Sequence, residues 1–230
     1  MQPETQWTPA VATTGAVRTN RVLRNTYLLL AVSLVPTMIG ALVGANMNFS
    51  FMRTSPIISF MVILAVFYGW IFAIEKNRDS GLGVGLLLGF TLFLGLLLGP
   101  LLQSVMGLRN GGQLVATAAG GTALTFAALA AVASSTKRDF SNLGKFLTVG
   151  VIVIMLAVIA NLFLQIPALT LTLLVGFVIL SSLIILWQIN AIVRGGETNY
   201  VSATLTLYVA IYNIFSSLLQ LLGIFGGNRD

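Results

Sequence analysis

Six carboxylates are all the acid this chain has: Glu4, Glu75, Asp79, Asp139, Glu197 and Asp230. None falls in the middle of an apolar run, and histidine and cysteine are absent altogether. Intramembrane aspartyl proteolysis needs two carboxylates at membrane depth, and they are missing. A serine nucleophile would have no histidine as its base. Zinc loses its usual nitrogen and sulfur ligands, and neither a disulfide nor a reactive thiolate can form. A proton-coupled transporter usually keeps a buried acid or base as its relay, and none is visible. The inventory therefore points away from an enzyme and implies no cofactor and no metal site.

What remains inside the apolar runs is a set of amides, hydroxyls and tyrosines. Asn161 and Gln165 stand four apart, hence on one face of a helix. In "LWQIN", residues 186–190, Gln188 shares a face with Ser181, while Asn190 is expected to point roughly the opposite way. Ser202, Thr206, Asn213, Ser217 and Gln220 recur at helical spacing, with Ala210 in the middle of their stripe. Lipid would leave such groups unpaired, so they should face other helices or water. Two readings stay open: hydrogen bonds that orient a helix bundle, or the lining of a wet cavity or ion path. Gln188, Thr206, Ala210, Asn213, Ser217, Gln220, Asn161 and Gln165 form the candidate central polar seam or pore. Tyr208 and Tyr212, four apart, read as packing residues with a hydroxyl anchor.

The elements that position these groups follow from composition. Of 230 residues, 57% are hydrophobic and 8% charged, against about 25% charged in a soluble domain. The chain lacks the charge to solvate a surface and reads as an all-α integral membrane protein. About 20 apolar residues cross the hydrocarbon core, and seven such segments are present: 26–46, 56–74, 81–103, 112–133, 146–166, 168–190 and 202–226. Residues 146–187 hold no charge. As one helix they would run ~63 Å, about twice the membrane, so the chain must turn back. Pro167 in "LQIPALT" is the expected place, because its ring disfavours continuing the preceding helix.

Charge orients the spans. With the N-terminus inside, inner segments carry Arg18, Arg21, Arg24, Lys76, Arg78, Lys137, Arg138, Lys145 and Arg194, and outer ones only Arg53, Arg109 and Arg229. The positive-inside rule then puts the N-terminus in the cytoplasm and the C-terminus outside. The same clustering argues against nucleic acid, which would call for a basic stripe along one face. Residues 1–20 are polar and expected to be a flexible cytoplasmic tail. Residues 21–230 are then the seven-helix membrane domain. An uncleaved first helix is expected there, since its apolar run exceeds that of a signal peptide and six more spans follow.

Glycine supplies the expected helix contacts. Gly40 and Gly44, and Gly81, Gly85 and Gly89, repeat every four residues, with Gly95 and Gly99 further on. Small residues at this interval let helix backbones approach closely in lipid. The fourth span, "GGTALTFAALAAVASS", is similarly small and is expected inside the bundle.

The same residues carry a resemblance. "VLRNTYLLL" (22–30), "GGTAL" (120–124), "RDFSNLGKFL" (138–147), "ANLFLQIPAL" (160–169) and, above all, "RGGETNYVSATLTLYVAIYNIFSSLLQLLGIFG" (194–226) resemble the Bax-inhibitor family of seven-span membrane proteins, most nearly its bacterial modulators of the membrane AAA protease FtsH. The resemblance runs from about residue 20 to the end. It implies six helices around a central C-terminal seventh, residence in the bacterial inner membrane, and binding and inhibition of FtsH as partner. The alternative it implies is a calcium or proton leak. Leak members of the family use an intramembrane pair of aspartates as a pH-sensitive latch. Aligned through "ILWQIN" and "LYVAIYN", those positions fall on Gln188 and Ala210, neither of which can ionise. This departure favours the protease modulator, or at most a leak without the acid latch.

Overall fold

A computed structural model describes the backbone of residues 10–136 and 138–227, and side chains from residue 19 onward within them except that of Arg53. All regular structure among the described residues is helical: α1 (Ala10–Ala45), α2 (Ser50–Thr54), α3 (Pro56–Lys76), α4 (Gly81–Leu97), α5 (Gly99–Met106), α6 (Gly111–Ser135), α7 (Leu143–Leu164), α8 (Pro167–Val193) and α9 (Tyr200–Gly226). Seven segments among them are long and apolar enough to cross a membrane. They are α1 from Thr19 on, α3, α4 with α5, α6, α7, α8 and α9, in the places the hydropathy pattern gave. Of the expected tail at 1–20, residues 1–9 lie outside the described residues, and the backbone is helical from Ala10.

The third span is divided at Leu98, where α4 passes into α5. Pro100 has no N–H to give and its ring would strike the carbonyl four residues back. The α7–α8 hairpin turns just before Pro167, which is the first residue of α8. Because proline is suited to the first helical position, the reversal falls on the two residues ahead of it. Gln165 is left-handed at φ 49° and Ile166 is extended. Asn161 holds this turn: its Oδ1 accepts from the Ile166 N–H at 3.1 Å, and its Nδ2 donates to Thr170 Oγ1 at 2.7 Å. α7 therefore ends at Leu164, two residues earlier than the apolar run suggests.

The most extensive helix pair is α1 with α4, running parallel. A Cβ added to Gly40 would stand 2.2 Å from the Leu92 carbonyl oxygen, and one on Gly44 2.4 Å from that of Leu96. Reciprocally, a Cβ on Gly95 would stand 2.3 Å from Thr37 O, and one on Gly99 2.4 Å from Gly44 O. Only glycine permits such backbone contact at these four places. The run Gly81–Gly85–Gly89 behaves differently. Gly81 and Gly85 have nothing within 4 Å, because they face outward, while Gly89 makes room for the Trp70 ring at 3.1 Å. Trp70 in turn donates to Leu86 O at 2.9 Å and stacks on Phe93, which fixes α3 to α4.

α9 is the helix richest in buried side chains and packs against α1, α3, α4, α5, α6 and α8. α7 packs against α8, with Gly144 under the Trp187 ring and Gly150 under Leu180. The expectation that the small fourth span lies inside the bundle is corrected. Only Gly111, Leu114, Ala118, Thr122 and Ala133 of α6 are buried, and a broad alanine and glycine face is exposed. Small side chains permit close approach but do not compel it, since lipid solvates an alanine face as readily as a neighbouring helix does.

Gly40→Val and Gly95→Val should each destabilise the bundle by about 1–3 kcal/mol or more, as overpacking against unyielding backbone does. Gly85→Val, in open space, should stay within about 0.5 kcal/mol of the parent. Thermal unfolding in detergent, followed by tryptophan fluorescence, checks the contrast.

Candidate functional site

α9 positions the seam because one of its faces alternates large apolar groups with short polar ones. Its start is fixed by Asn199, whose side chain accepts from the Val201 and Ser202 N–H groups, an ordinary N-cap. Asn199 also donates to Asp79 Oδ1 at 2.8 Å, and its own N–H goes to Glu197 Oε1 at 2.8 Å. One turn on, the buried Ser202 hydroxyl donates to Glu75 Oε2 at 2.9 Å. The Arg78 guanidinium meets the same oxygen at 3.3 Å. The α3–α4 loop is thereby fastened to the beginning of α9, and two of the six carboxylates act as fasteners.

Along the seam, Ala210 and Ser217 are buried, while Thr206, Asn213 and Gln220 are half-buried. Tyr208 is the anchor among them. Its hydroxyl lies 2.7 Å from Thr37 Oγ1 and donates to the Thr91 carbonyl at 3.3 Å, so α9 is bonded to both α1 and α4. The Tyr212 ring follows at 6.5 Å. A second tie crosses from Thr204 Oγ1 to the Thr26 carbonyl at 3.3 Å. Gln188 on α8 is 2% exposed and so is fully inside the protein. Gln188 carries an amide and Ala210 a methyl, both buried, and neither changes charge with pH.

The predicted set thus divides. Gln188, Ala210 and Ser217 lie in the packed interior. Asn161 and Gln165 lie instead at the α7–α8 turn, at the other end of the span from the Glu75–Ser202 contact. They line a groove of about 540 Å³ with Pro56, Pro167, Thr170 and Ile224. Gln220 lines a neighbouring groove of about 580 Å³ between α3, α5 and α9. Ile224 borders both grooves.

Asn190, expected to point away from Gln188, has a role that periodicity did not reveal. It is buried, and it holds the α6–α7 connection from below: its Oδ1 accepts from the Phe140 N–H at 3.1 Å and its Nδ2 donates to Arg138 O at 3.2 Å. Between those two residues Asp139 makes its own turn. Both the hydroxyl and the N–H of Ser141 donate to its Oδ1, which holds its carboxyl below the ordinary value, with Arg194 adding to the effect. A helix wheel cannot reveal a bond to a loop 50 residues away. The only signal was an amide at the end of an otherwise apolar span.

Asn190→Ala should leave the Phe140 N–H and Arg138 carbonyl without their partner, at a cost of about 1–2 kcal/mol. Limited trypsin digestion of the micellar protein should then cleave after Arg138 faster than in the parent, with cleavage after Arg109, in the connection between α5 and α6, at an unchanged rate.

Comparison with known proteins agrees with this architecture. The family model described as "Inhibitor of apoptosis-promoting Bax1" matches residues 19–227. An uncharacterized protein of Neisseria meningitidis serogroup B is 49% identical over 212 residues, covering 91% of this chain and 93% of that protein. A Pseudomonas aeruginosa protein, likewise uncharacterized, is 44% identical over 207 residues, 90% of each. The Escherichia coli K12 protein named modulator of FtsH protease YccA is 40% identical over 210 residues, 91% of this chain and 93% of that one. Seven apolar helices and a match over nearly the whole described chain lead to one statement: the chain is a membrane protein of the Bax-inhibitor family.

Proposed function

We propose that this protein is a non-enzymatic modulator that binds the membrane protease FtsH and restrains its action on other substrates. The observation that carries the reading is the 40% identity to the E. coli protein named for that role, extending over nearly the full length of both chains. The residue inventory supports it. No carboxylate, histidine or cysteine is available at membrane depth to run a reaction, so binding is the activity left to a bundle of this kind. The excess of Lys and Arg on the loops joining α3–α4, α6–α7 and α8–α9 supports a cytoplasmic N-terminus and a periplasmic C-terminus. The inner membrane then follows as its location, in keeping with the name of a second E. coli relative, "Inner membrane protein YccA".

The leak alternative gains less support from the same residues. At the two positions where acid-gated relatives would ionise, this chain has a buried amide and a buried methyl. A latch made from a shared proton needs two carboxylates.

Affinity purification of the tagged full-length protein from its native membrane should bring down FtsH. Overproduction should lengthen the half-life of a membrane substrate of FtsH several-fold, with FtsH abundance unchanged. No co-purification, together with an unaltered substrate half-life, would sink the proposal. Cation flux through proteoliposomes above the lipid background would instead favour the leak.

A further inference from the structure

Two buried polar atoms among the described residues have no hydrogen-bond partner: Thr26 Oγ1 and Gln188 Nε2. Thr26 is 0% and Gln188 2% exposed, so bulk water reaches neither. The threonine is unusual among its kind. Thr122, Thr125, Thr148 and Thr172 each donate to the carbonyl four residues back, the ordinary way for a helical threonine to satisfy its hydroxyl in lipid. Thr26 forgoes that bond.

Helix register brings the two atoms to one level. Val22 of α1, Ile192 of α8 and Ala203 of α9 pack together as one buried cluster. α1 and α8 cross the membrane in opposite directions, as the first and sixth spans. One turn deeper from Val22 is Thr26, and one turn deeper from Ile192 is Gln188. Both therefore stand at the same depth beside α9. The α9 residues spaced along this face include Ala203 and Ala210, both buried. Thr204, bonded to the Thr26 carbonyl at 3.3 Å, puts a second hydroxyl oxygen beside it.

We propose that a single buried water is held between Thr26 Oγ1 and Gln188 Nε2 at the α1–α8–α9 junction. The chemistry selects water over an ion. An amide and a hydroxyl carry no charge, so the pair offers no counter-charge to an ion. An anion would need a positive charge that this depth does not supply. Water accepts from the amide and exchanges a hydrogen bond with the hydroxyl, and a buried water typically has two to four such partners.

The test is nuclear magnetic resonance of the ¹⁵N-labelled full-length protein in nanodiscs, reading magnetisation transfer from water to the Gln188 side-chain amide. The resonance is assigned by its loss in Gln188→Leu. A cross-peak in the parent that survives Thr26→Ser and disappears in Thr26→Val supports the bridge. No cross-peak in the parent overturns it. A cross-peak indifferent to Thr26→Val overturns it as well, since the water would then not be shared. Should Thr26→Val fail to fold, a structure of the parent resolving ordered water decides: an oxygen about 3 Å from both atoms, or a direct Gln188–Thr26 bond that excludes it.

Discussion

The backbone contact between α1 and α4 is the constraint on which the rest of the bundle depends. In lipid no hydrophobic force drives one apolar helix onto another, so association rests on packing and on the hydrogen bonds that packing brings into range. Gly40, Gly44, Gly95 and Gly99 let the two helices meet carbonyl against Cα, a distance at which weak Cα–H···O contacts also contribute. With that pair fixed, Thr37 and Thr91 stand at one level, and the Tyr208 hydroxyl can meet both. α9 is thus located by a junction that the glycines prepare.

The two ends of α9 are then treated differently. At its beginning, side chains carry the connections: Asn199 caps the helix and reaches Asp79, and Ser202 reaches Glu75. Asn190 does the equivalent for the neighbouring α6–α7 connection. Toward its end, α9 borders two grooves that run beside α3, α5 and the α7–α8 turn. A bundle closed at one end by polar fasteners and looser at the other suits a protein whose activity is proposed to be contact with a partner.

Much of this was legible in the sequence, for reasons that can be located. Length and hydropathy gave all seven spans, because hydrocarbon thickness sets helix length more strictly than water does. The 42-residue uncharged run forced the hairpin, and Pro167 placed it within two residues. The seam was only half legible. A helical wheel finds which α9 residues share a face, and it did so for Ala210 and Ser217. It does not say where along the bundle another helix's amides sit, so Asn161 and Gln165 were grouped with a seam that they do not join. Glycine spacing misled for a related reason: Gly81 and Gly85 share the interval of Gly40 and Gly44, but the interval states only that a close approach is sterically allowed. Asn190, Thr26 and Asn199 act through partners 50 or more residues away in the chain, and no local period encodes those bonds.

The parallel seating of α1 on α4 also has a mechanical consequence. A load applied along the axis from the amino-terminal end of α1 cannot peel the two helices apart one contact at a time. It must slide one backbone past the other, so the contacts at Gly40, Gly44, Gly95 and Gly99, and the Thr37–Tyr208 bond beside them, bear the force together. A joint loaded in shear yields at a higher force than the same joint unzipped from one end. The first helix of this protein is thereby secured against being drawn out lengthwise.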